Sequence, residues 1–131
     1  MGTPHRAELG LAGEALVRHW LEDQGWHCLA QRWTCRWGEL DLVMTRGNTL
    51  ACVEVKSRSR RGLDAGGLLA LTPAKQRRLW RSAELFLVLH PRCQQAVVRF
   101  DLALVRGSAL PGDGLHLETY LVGAFDGDGI E

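Results

Sequence analysis

The sequence predicts an α/β fold with the element order α-β-β-β-α-β. Three observations predict it. Two Thr-Pro pairs, Thr3-Pro4 and Thr72-Pro73, each open a run of apolar residues at helical spacing. Between those runs, residues 39–45 and 49–57 read as two strands separated by the turn residues Arg46-Gly47-Asn48. The length, 131 residues with 46% hydrophobic and 24% charged, suits one domain with a single core and is too short for two.

Thr3 caps the first helix and Pro4 occupies its first turn. Leu9, Ala12, Leu16 and Trp20 then recur at helical spacing as its expected inward face, and Gly25 ends it. Gly10 and Gly13 lie inside this helix at a cost of about 1 kcal/mol each against alanine, which suggests that something packs close to them. Glu14 stands beside them. Residues 26–33 form a strand of weak alternation, followed by the 39–45 and 49–57 pair. Gly62, Gly66 and Gly67 mark a glycine-rich stretch expected to be a mobile loop. The helix after Thr72-Pro73 is expected to turn Leu79, Trp80, Ala83, Leu87 and Val88 inward and to stop at His90-Pro91. Residues 96–105 are a further strand and 115–122 a weaker last one. No repeat or linker divides the chain, so a single domain is expected over residues 1–125, with a tail at 126–131.

Apolar runs are only a few residues long, which leaves no room for a transmembrane helix. Arg6, Glu8, Glu14 and Arg18 interrupt any secretory core near the start, so a cytoplasmic protein without a membrane partner is expected. Cys28, Cys35, Cys52 and Cys93 lack the spacing of a zinc site or of a disulfide framework and are expected to be reduced. Net charge is only +1, but it is unevenly placed. Residues 55–81 carry eight basic side chains against one acid, Asp64, leaving the rest of the chain at −6. Such a segment suits a polyanion, and it equally suits a solvated loop and helix face.

If Gly47-Asn48 is a two-residue turn, paired positions in the hairpin sum to 95. Asp41 then lies opposite Glu54 and Glu39 opposite Lys56, all four on one face. Leu40, Leu42, Met44, Val53 and Val55 fall on the other, buried face. Two opposed carboxylates destabilise a strand pair unless a hard divalent cation binds between them. A cation, a lysine and water around a phosphate are the parts needed for phosphodiester hydrolysis. The alternative is a solvent-facing surface on which Lys56 merely neutralises two acids. The chain uses fourteen arginines and only two lysines, Lys56 and Lys75, which gives the compact ammonium at 56 some weight as a choice.

Gly38-Glu39-Leu40-Asp41-Leu42 followed by Val53-Glu54-Val55-Lys56 and Arg58 resembles the D…ExK signature of the PD-(D/E)xK nuclease superfamily. The chain as a whole resembles the small bacterial YraN family, also called UPF0102. The match takes in Gly10, Gly13 and Glu14, then Lys75, Leu79, Ala83 and Leu87, then Arg99-Phe100-Asp101 and Ala124-Phe125. It spans about residues 8–125. The resemblance implies a restriction-endonuclease-like core related to Holliday-junction resolvases, with a mixed central sheet flanked by helices. It implies that Asp41, Glu54 and the Val55 carbonyl, joined by Glu14 from the helix, hold Mg²⁺ or Mn²⁺. Lys56 would orient or deprotonate the attacking water. The sequence departs from the pattern at Arg32, where many members carry asparagine, and at Trp37, where many carry a small residue. Trp37 could narrow the site or offer a stacking surface.

Glu14, Asp41, Glu54 and Lys56 are therefore the expected catalytic groups. Arg58, Arg60, Arg61, Lys75 and Arg78 are the expected nucleic-acid contacts, with DNA favoured over RNA and a homodimer compatible with resolvase-like action. The substrate would be branched or single-stranded DNA in repair or recombination. The alternative is a non-catalytic nucleic-acid-binding protein that retains the fold; a protein-binding adaptor is a third, weaker reading. Trp20 and Trp80 fit helix core faces, whereas Trp33 and Trp37 are candidates for base contact. Arg99 and Asp101 are expected to pair with each other.

Overall fold

The computed structural model describes residues 6–58, 71–107 and 114–125. The Thr3-Pro4 start, the glycine-rich stretch with Arg60 and Arg61, and the 126–131 tail lie outside them. The order is α1 (Arg6–Glu22), β1 (His27–Cys35), β2 (Gly38–Arg46), β3 (Thr49–Arg58), α2 (Pro73–Leu89), a 3₁₀ turn (Pro91–Cys93), β4 (Val97–Gly107) and β5 (Leu115–Phe125). The predicted succession is met, and the weakly signalled last strand is a full one.

The five strands lie in sequence order in one mixed sheet. All neighbours are antiparallel except β3 and β4, which run parallel. A parallel pair needs a crossover, and α2 lies within it. Thr72 caps α2 by accepting the Lys75 N–H, as the Thr-Pro signal predicts. Among the described residues no helix is long and apolar enough to cross a membrane.

Both faces of the sheet are buried. Leu50 and Cys52 of β3, with Phe100, Leu102 and Leu104 of β4, pack under Leu79, Ala83 and Phe86 of α2. The intervening Ala51, Val53, Val55, Ala103 and Val105 pack under Val17 and Leu21 of α1. Strands covered on both sides read as continuous apolar runs, which is why alternation alone suggested only one buried face.

The hairpin register is the predicted one, with pairs from Leu42↔Val53 to Arg46↔Thr49. Gly47 takes φ +59 at the first turn position, as a type II′ turn requires. The expected Asp41–Glu54 and Glu39–Lys56 rungs do not form, because the ladder ends at Leu42. Leu40 and Leu42 do not share a face either: Leu40 joins the α2 side and Leu42 the α1 side. The alternation of faces therefore changes between Leu40 and Leu42, although the β1–β2 register stays constant there and shifts only between Cys28 and Ala30. Arg32 has φ +51, a left-handed conformation that asparagine adopts more readily than arginine.

Two helix faces differ from expectation. In α1 the inward residues are Gly13, Glu14, Val17 and Leu21; Ala12 is exposed and Trp20 lies outside, its ring against Tyr120. The apolar stripe misleads because a glycine and a carboxylate occupy two of the inward positions. In α2, Ser82 and Phe86 face inward, whereas Val88 is 66% exposed. Gly13 makes a close approach possible: a β-carbon there would collide with the Ser57 hydroxyl.

Candidate metal and phosphate site

The change of face in β2 aims Asp41 out of the regular ladder. Its Oδ2 accepts the Val55 N–H at 2.9 Å, so a side chain takes over where a strand carbonyl would have bonded. From α1, Glu14 comes down onto the same point, only 5% exposed. Glu39, two residues before Asp41, completes a group in which carboxylate oxygens of Glu14, Glu39 and Asp41 lie within 4.8 Å of one another. Burial, followed by repulsion from Glu54, pushes Asp41 up to about 7 from an ordinary 3.8; the Val55 N–H opposes the shift.

Glu54 is buried on the α2 side of the sheet, and both lysines of the chain close on it. Lys75 Nζ lies 2.9 Å from Glu54 Oε1 and Lys56 Nζ lies 3.9 Å from the same oxygen. The two lysines lie close enough to each other to shift each other's protonation. Burial and then Lys75 push Lys56 below the usual ammonium range. Lys75 is raised: burial opposes this, but its bond to Lys56 and the Glu54 carboxylate outweigh it. The cleft lined by Asp41, Glu54, Leu79 and Phe100 is about 10 Å³, enough for a single water.

The donor set suits a hard divalent cation, because three carboxylates without a cation crowd together at electrostatic cost. Ion pairs within the protein also meet one of these carboxylates and the neighbouring Glu54. Arg32 Nε reaches Glu14 Oε1 at 2.9 Å, and Lys75 neutralises Glu54.

Of the residues singled out from the sequence, Glu14 and Asp41 come together, with Glu39 as a third member that carried no assigned role. Period-two spacing before Asp41 was the signal for it. Glu54 and Lys56 sit together next to them. Lys75, read as a phosphate contact, lies on Glu54. Arg58 is half-buried at the end of β3, with its Nη1 donating to the Ser57 carbonyl. Arg78 is exposed on α2.

Trp33, half-buried, packs edge-on against Phe86 at 5.2 Å, beside the core. Trp80 is half-buried against Phe100. Arg99 and Asp101 pair as expected: Asp101 is buried and accepts from Arg99 Nε and Nη2, Tyr120 Oη and the Gly123 N–H.

The model of uncharacterised protein family UPF0102 matches residues 13–105. A UPF0102 protein of Synechococcus sp. (strain JA-3-3Ab) is 52% identical over 119 residues, covering 90% of this chain and 91% of that protein. A UPF0102 protein of Gloeobacter violaceus is 45% identical over 124 residues, covering 95% and 97%. One of Synechococcus elongatus is 45% identical over 128 residues, covering 89% and 90%.

Proposed function

The chain belongs to the UPF0102 family, and from the geometry of its site we propose that it is a metal-dependent nuclease hydrolysing phosphodiester bonds in DNA. The observation that carries this reading is the convergence of Glu14, Glu39 and Asp41 from a helix and a strand, beside Glu54 with both lysines on it. Glu14, Glu39 and Asp41 would hold Mg²⁺ or Mn²⁺, with Glu54 and the Val55 carbonyl as further oxygen donors. When bound, the cation supplies positive charge against a phosphate oxygen and lowers the pKa of a water.

Lys56 takes the proton as water attacks phosphorus, since burial and Lys75 favour its neutral form. Lys75 keeps its charge and faces the negative charge that develops on the phosphate. Cleavage leaves a phosphate monoester on one strand end and a hydroxyl on the other. Arg78, exposed one turn along α2 from Lys75, adds a phosphate contact. DNA repair or recombination, where branched and single-stranded DNA arises, is the setting that fits this chemistry. A homodimer would bring two such sites to one junction.

A second reading, a nucleic-acid-binding protein without catalysis, is favoured by one observation: Arg32 and Lys75 already neutralise Glu14 and Glu54. One gel panel separates the two. Linear duplex, single-stranded, flap and four-way-junction DNA and a structured RNA are incubated with EDTA, Mg²⁺ or Mn²⁺. Wild type is run beside Asp41→Ala and Glu54→Ala. Cutting that requires metal and is lost in both variants supports the nuclease. Retardation without cutting, unaffected by Asp41→Ala, supports the binding protein.

A further inference from the structure

The two-residue turn between β1 and β2 presents Arg36 and Trp37, and Gly38, at φ +136, takes the left-handed position that follows. The turn is seated on α2, where Cys35 Sγ meets Ser82 Oγ at 3.4 Å. Two guanidiniums lie over the half-buried Trp37 indole, that of Arg36 at 4.9 Å and that of Arg81 at 4.8 Å from the ring centroid. Beside them a groove of about 240 Å³ is lined by Arg77, Trp80, Arg81 and Glu84.

The patch gathers three arginines against one acid, Glu84. Arg18, Arg32, Arg99 and Arg106 each pair with a carboxylate. Among the described residues neither Arg36, Arg77 nor Arg81 has an acidic partner within salt-bridge distance, and Glu84, in the same groove, makes no ion pair. The charges of Arg36 and Arg81 both lie within 5 Å of one ring centre, which gathers two cations around a single indole. A phosphate beside them would meet both charges at once. Surface cation–π contacts alone are worth only about 0.5–1 kcal/mol each, which makes them a weak reason to gather the charges.

The patch also adjoins the carboxylate site. Lys75, Arg78 and Arg81 share a face of α2 by three-residue spacing, leading from Glu54 to Trp37. Trp37, in the turn, precedes Asp41 by four positions, which puts their backbones at most about 13 Å apart.

We propose that Trp37, with Arg36, Arg77 and Arg81, is a binding platform for an unpaired stretch of a nucleic-acid strand whose adjoining phosphates pass along α2 to the carboxylate site. The identity of the strand as substrate rests on the nuclease reading; the platform itself does not. The guanidiniums gathered over the indole offer planar, cationic stacking surfaces to bases whose faces are open, whereas a duplex hides those faces and uses only the charges. The platform therefore selects single-stranded segments, ends or flaps over continuous duplex.

The test is fluorescence anisotropy of a labelled oligonucleotide, single-stranded or annealed, with the whole protein at physiological salt in EDTA. Wild type should bind the single strand at least about fivefold tighter than the duplex, and Trp37→Ala should weaken single-strand binding about tenfold while moving duplex binding much less. Arg81→Gln should weaken both and flatten the salt dependence by about one counterion. Trp37→Phe should restore most of the single-strand affinity, and it carries the test together with Arg81→Gln if Trp37→Ala fails to fold by circular dichroism. Arg18→Gln, on the opposite helix, should change nothing. Equal affinity for single strand and duplex, or single-strand binding untouched by Trp37→Ala, overturns the platform. Since binding is read without metal, Asp41-dependent cleavage with a Trp37-independent affinity removes the platform alone. Trp37-dependent binding without any cleavage removes the nuclease alone.

Discussion

Replacing Asp41 with asparagine takes an ionisable group out of the cluster formed by Glu14, Glu39 and Asp41, and the resulting change in stability depends on pH. Burial and the neighbouring Glu54 raise Asp41 to about 7 from 3.8, so the folded protein holds a proton that the unfolded chain releases. Asp41 thus favours folding fully below its unfolded pKa of about 3.8, and that contribution is lost as pH rises through about 7. A shift of roughly 3 units sets a ceiling of about 4 kcal/mol on the cost of ionising Asp41 at higher pH. Asp41 is half-buried and reached by water, so about 2 kcal/mol is the expected magnitude. Asparagine is neutral at every pH, and its amide oxygen can still accept the Val55 N–H.

In EDTA at about pH 8, Asp41→Asn should therefore melt roughly 5–10 °C above wild type by circular dichroism, a gap that narrows as pH falls towards about 5. Saturating Mn²⁺ should raise the melting point of wild type and leave the variant where it was. A variant less stable than wild type at the higher pH, or a gap that does not change with pH, would refute the reasoning.

The other predictions concern the supports of the site. Asp101→Ala strands the Arg99 guanidinium and the Tyr120 hydroxyl around a buried gap and should cost about 3–5 kcal/mol in a urea melt; a loss under about 1 kcal/mol would contradict that role. Gly13→Val drives a side chain into Ser57 and Val105 and should cost roughly 1–3 kcal/mol, with cleavage reduced as well because Glu14 is the next residue; unchanged thermal stability would count against the close approach. Lys75→Met removes a charge that holds Lys56 down, so the half-maximal point of the cleavage pH profile should move to higher pH, and an unmoved profile would argue against Lys56 as the base. Arg32→Asn frees Glu14 and suits the left-handed backbone, so Mn²⁺ affinity by calorimetry should rise without loss of stability; weaker binding would mean that Arg32 supports the site rather than competing with the cation.

Much of the frame was legible because it rests on local rules. The Thr72-Pro73 start and the Gly47-Asn48 turn each depend on a few adjacent residues, and the turn alone set the hairpin register. The order of elements followed from those punctuation marks. What was misread depends on partners distant in sequence. Alternation placed Leu40 and Leu42 on one face, but they pack on opposite sides of the sheet, and only the packing of the two helices exposes that. Trp20 looked like core by spacing, yet Gly13 and Glu14 take the inward positions of α1 because the close approach and the carboxylate matter more there than apolar burial. The hairpin pointed to Asp41, Glu54 and Lys56. The ion pairs of Arg32 and Lys75 join residues 18 and 21 positions apart, which no short-range pattern reveals.

The most direct measurement is a Mn²⁺ titration of the purified chain followed by electron paramagnetic resonance, because it does not depend on guessing the substrate. One saturable site per chain, lost in Asp41→Asn and weakened in Glu39→Gln but kept in Arg18→Gln, is the predicted result. No saturable site, or a site indifferent to Asp41, would contradict the claim that these carboxylates gather to hold a catalytic cation.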